Sequence, residues 1–88
     1  MTIQELAQQA LDVQDACNLS GVVHSFSRSM DVLWAEARAN NHGTDWINTH
    51  PIVTLFIDKL ASLNRTQFDT DAIYAAYPRV EAIARGEA

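Results

Sequence analysis

The side chains best suited to chemistry are three histidines, His24, His42 and His50, together with Asp45 and the single cysteine, Cys17. Imidazoles with a carboxylate could hold a divalent metal, and a thiolate beside an imidazole could serve as a nucleophile. The spacing argues against both. Paired helical ligands stand three or four residues apart so that they project from one face, and no two of these histidines do. One cysteine allows neither an internal disulfide nor a thiolate zinc cluster. Cys17 falls on an apolar helical face, which predicts a packed thiol, and nothing positions a third group to orient a pair with His24. The carboxylates are mostly single, and so short a chain has little core to give up for a pocket. The reading is therefore not an enzyme, with no cofactor and no metal.

Nucleic acid is the next class to weigh. Residues 16–30 contain a small residue, a turn glycine and a following valine (Ala16, Gly21, Val22), as in a helix-turn-helix, with His24 and Arg28 as the DNA contacts. The pattern then slips by one place. Ser27 stands where an apolar residue is required, Phe26 lies one position early, and Asp31 opposes the basic side chains. The chain carries 11 acids against 6 bases, a net charge of −5, so it lacks the means for general phosphate neutralisation. A helix-turn-helix-like DNA-binding regulator is the alternative reading, not the leading one.

The segment from Asn41 to Pro51 is dense in Trp, His, Asn and Asp for a connector. Loops often carry function, and tryptophan is enriched at the centres of protein contacts. Trp34, His42, Asp45 and Trp46 are accordingly the candidate contact residues. The plainer reading is that Trp46 and Ile47 fold back as a lid on a small core, with Thr44 and Asp45 capping a single turn. Trp34 faces a similar choice between packing on a helix flank and lining a dimer surface.

These residues must be held by helices. Apolar residues make up 48% of the chain, while three glycines and two prolines leave few tight turns for a β fold. Thr2 and Glu5 have capping-box spacing, and Ile3, Leu6, Ala10, Val13 and Cys17 recur by threes and fours. A second series, Leu19, Val23, Phe26, Met30, Leu33 and Ala37, is out of phase with the first by roughly 160° on a continuous helix. Either the helix breaks near residues 18–21, where Asn, Ser and Gly supply cap and turn chemistry, or one rod buries opposite faces against a second chain. The break is the preferred reading. Thr49 or His50 caps a third helix that has Pro51 at its first position and is apolar around most of its circumference. Asn64 closes it, Asp69 or Thr70 caps the next, whose apolar side is Ile73, Tyr77, Val80 and Ala84, and Pro78 is expected to kink or split that segment.

Residues 15–26 and 43–52 resemble a group of short hypothetical proteins from bacteria, phages and other mobile elements. The likeness spans about two-thirds of the chain and includes no catalytic motif. It implies the context of an accessory protein of mobile DNA that binds host or phage machinery. The expected architecture is all-α: a single helical domain over 1–88, a compact bundle of four to five helices at about 3–17, 20–39, 51–63, 70–77 and 78–86, the third central. The expected function is a non-enzymatic protein-interaction role, as a homodimer. The first residues lack the basic start and apolar run of a signal peptide, and no stretch is long enough for a membrane span, so the expected location is cytoplasmic.

Overall fold

The computed structural model describes residues 2–66 and 70–87, with Thr70 as backbone only. They form α1 (Ile3–Asp12), α2 (Leu19–Ala39), α3 (Thr44–Asn48), α4 (Pro51–Leu63) and α5 (Thr70–Ala84), and no strand is present among them. The capping box of α1 is complete: Thr2 Oγ1 accepts from the Glu5 amide at 3.2 Å, and Glu5 Oε1 from the Thr2 amide at 3.0 Å.

The chain bends where the two apolar series conflict, but earlier than expected. α1 stops at Asp12, a 3-10 turn covers Val13–Asp15, and Ala16 is extended at φ −76°, ψ 145°. Asn18 then caps α2, its Oδ1 accepting from the Gly21 amide at 3.3 Å. Cys17 lies in this bend and is exposed, which corrects the packed thiol expected from a helix running to residue 17.

α4 is the centre of the bundle, as its composition required. Ile52, Leu55 and Phe56 are fully buried, and the helix touches α1, α2, α5 and the 3-10 turn. Lys59 Nζ donates to the Gln14 carbonyl at 2.9 Å, and Gln14 Nε2 reaches the Leu55 carbonyl at 3.3 Å, tying the turn to α4. α5 fills the opposite side, packed along both α1 and α4.

Two further expectations need correction. The buried face of α2 is Val22, Ser29, Leu33 and Ala37, with Phe26 against Phe56 at 5.6 Å between ring centroids, so Leu19 and Val23 are left outside. Ser29 tolerates burial because its hydroxyl donates to the Ser25 carbonyl at 2.9 Å. Pro78 does not split the last segment either, and α5 runs unbroken through it. The cap expected at Asp69 or Thr70 lies outside the described residues.

A proline in a helix removes the hydrogen bond to the carbonyl four residues earlier. Here that residue is Tyr74, which is 74% exposed, and Pro78 is exposed as well, so water can serve the freed carbonyl. Buried Ala76 and Val80 meanwhile hold the helix on the core from both sides of the proline. Replacing Pro78 with Ala should therefore raise stability by about 1–3 kcal/mol, seen as a higher urea midpoint with unchanged helical circular dichroism. A lower midpoint would mean that the proline is needed for the geometry of α5.

Candidate binding corner at the start of α4

Beyond the Asn40 cap of α2, Asn41 turns the chain in the left-handed region (φ 57°), and the His42 amide donates back to the Ala37 carbonyl at 2.9 Å. Two residues later α3 begins, anchored by Ile47, which is fully buried. That anchor fixes the direction of Trp46. Its indole is half-buried and packs on the core, as the lid reading expected, but the cap of α3 is Gly43, with no side-chain hydrogen bond, and not Thr44 or Asp45.

On the indole lie two imidazoles. The His42 ring stacks on it at 4.4 Å with an interplanar angle of 7°, and the His50 ring meets it nearly edge-on at 5.0 Å and 72°. The two histidines differ in environment. His42 is exposed, whereas His50 is 9% exposed and serves as the N-cap of α4, its Nδ1 accepting from the Ile52 amide at 3.2 Å. A ring nitrogen that accepts must be unprotonated. Burial, with the Arg79 charge as a lesser cause, holds His50 well below the ordinary histidine range, at about 4.

Beside this corner a groove of about 360 Å³ opens between the α3–α4 junction and α5. Pro51 and Ala76 are its buried members, with Ala72 and Thr54 half-buried. Asn48, Thr49, Ala75 and Arg79 form its exposed edge. Residues 72, 75, 76 and 79 share one face of α5 by helical spacing, and the three alanines leave open the volume that larger side chains would fill.

The nominated contact residues thus divide. His42 and Trp46 come together, and His50, read from sequence as a cap and weighed as a metal ligand, joins them. Asp45 is exposed on the same short helix, where its carbonyl accepts from the Thr49 hydroxyl at 2.7 Å. Trp34 stands apart on α2 at 39% exposure. His24 and Arg28 are exposed farther along α2, in company with exposed Asp31. Among the described residues no three His, Cys, Asp or Glu side chains converge as a metal site. No helix among them is long and apolar enough to cross a membrane. The groove was missed from sequence because its signal, small residues followed by Arg79 on one face of α5, looks the same as a plain packing face. Fold and site together define a small all-α bundle with an aromatic corner next to an open groove. No protein-family model, curated protein or solved structure matches the chain.

The cap carries a pH dependence with a definite sign. The folded-state pKa of His50 lies below its unfolded value of 6.5, so its contribution is fully present above pH 6.5 and is lost as pH falls through about 4. Urea denaturation from pH 7 to pH 4 should show a loss on the order of 2 kcal/mol that is absent in His50→Asn, since Asn keeps a cap but cannot titrate. Equal losses in both proteins would assign the acid sensitivity to carboxylates instead.

Proposed function

We propose that this protein is a non-enzymatic interaction module that works through protein contacts, with α2 pairing against α2 of a second copy. The observation that carries the reading is the row of apolar side chains left outside the core on that helix. Leu19, Val23 and Trp34 are 41%, 47% and 39% exposed. Their spacing places them along one side of α2, with half-buried Met30 between them. A 21-residue helix is about 30 Å long, enough to cover most of the molecule's 36 Å long axis.

The row is self-complementary. Trp34 is near one end and Leu19 with Val23 near the other, so an antiparallel two-fold pairing seats Trp34 of each copy against Leu19 and Val23 of the other. The helix dipoles then oppose one another. A chain of 88 residues also has a small core, and burying this row would add stability that the monomer lacks. His42, Asp45 and Trp46 supply a second surface, an aromatic with polar edges, of the composition found at contact centres. The resemblance to proteins of mobile DNA gives the context of this reading, an accessory factor in the cytoplasm.

Light scattering after gel filtration tests the pairing. The wild type should elute at twice the 9.8 kDa chain mass at high concentration. Val23→Glu or Trp34→Glu should raise the dissociation constant about tenfold or more, with helicity intact. A wild type that stays monomeric, or a dimer indifferent to both substitutions, would overturn the proposal.

A further inference from the structure

The groove beside α5 has a chemistry independent of the α2 surface. Its cation, Arg79, has no carboxylate partner among the described residues, where the only ion pair is Arg85 with Glu87. That is notable in a chain whose acids outnumber its bases by five. An unpaired guanidinium at the edge of a concave site offers a forked set of donors matched to a carboxylate.

The hydroxyls on the opposite wall add a second requirement. Thr49 Oγ1 donates to the Asp45 carbonyl at 2.7 Å, and Thr54 Oγ1 to the His50 carbonyl at 3.4 Å. Each hydroxyl has one proton; that of Thr49 is held inward by its 2.7 Å bond, while the long Thr54 contact leaves its hydroxyl free to turn. What Thr49 presents to the groove is lone pairs, so it accepts from a ligand and does not donate to it. The Asn48 carboxamide can do either. Between the polar edges, Ala76 and Pro51 form an apolar floor.

We propose that this groove binds a small hydroxycarboxylate, with the carboxylate on Arg79, the hydroxyl donating to a threonine oxygen, and a short apolar body on the alanine floor. A volume of about 360 Å³ suits a small molecule, because drug-sized ligands occupy pockets of roughly 300–1,000 Å³. The donor is a neutral hydroxyl, because an ammonium in the same groove would be repelled by the charge of Arg79. The site also reports its own occupancy. Arg79 already acts on His50, so an anion that neutralises it relieves His50 of that repulsion and moves its titration upward.

The test is a nuclear magnetic resonance titration of the whole chain at constant ionic strength, with lactate, propionate and lactamide as probes. Lactate should shift the amides around 48–54 and 72–79 saturably at concentrations up to about 50 mM. Propionate, lacking the hydroxyl, should bind several-fold more weakly, and lactamide, lacking the charge, should give no saturable shift. Lactate should also raise the His50 titration midpoint. In Arg79→Gln, lactate should bind roughly tenfold more weakly or not at all, and the His50 midpoint should start higher and no longer respond. Arg79 is exposed, so the variant should keep its fold. Absence of saturable shifts, lactamide binding as well as lactate, or lactate binding unchanged in Arg79→Gln would each overturn the assignment. None of these outcomes depends on the oligomeric state of α2.

Discussion

The structure depends on one constraint: α4 is apolar on nearly every side and must be enclosed by a chain with few residues to spare. Ile52, Val53, Leu55 and Phe56 leave almost no surface to water, so neighbours are required all round. α1 and α5 cover one side and α2 another, with the 3-10 turn closing a gap between them. The bend before Asn18 follows from this. A straight rod through residue 17 would turn one of its two apolar faces away from α4. The continuity of α5 has the same origin. Contacts on both sides of Pro78 are worth more than the hydrogen bond the proline removes, and the freed carbonyl is on the wet side.

The start of α4 bears the consequences. Pro51 gives up no hydrogen bond at the first helical position, and the cap before it is a histidine in a site that a shorter polar residue could also have served. Because His50 is buried, its ring has to find company, and Trp46 provides it. The same ring lies close enough to Arg79 to feel its charge. A single side chain therefore joins the helix cap to the aromatic corner, so protonation and stability are coupled there.

Misreadings from sequence share a cause. Periodicity treats serine as polar and valine as apolar, yet α2 buries Ser29 and exposes Val23. A single back-bond to Ser25 makes the serine compatible with the core, and the rotation of the helix is then chosen by Phe26 meeting Phe56. Cys17 went astray for a related reason. Its place in the series was real, but the helix that would have carried it inward ends five residues before it.

Sequence alone determined the all-α class, the capping box at Thr2, a break ahead of the second apolar series though not its position, the proline that begins α4 with a cap at Thr49 or His50, and the central place of that helix. These are local hydrogen-bond rules and the spacing of apolar residues along a single helix, and both are written in neighbouring positions. Tertiary structure alone decided which side of α2 faces inward and that Pro78 is spanned. It also brought His42, Trp46 and His50 onto one another, and opened a groove between Thr49 and Arg79. The facing of α2 and the groove depend on residues thirty positions apart, Phe26 with Phe56 and Thr49 with Arg79, while the spanning of Pro78 and the meeting of His42, Trp46 and His50 depend on how short neighbouring elements are held against the core.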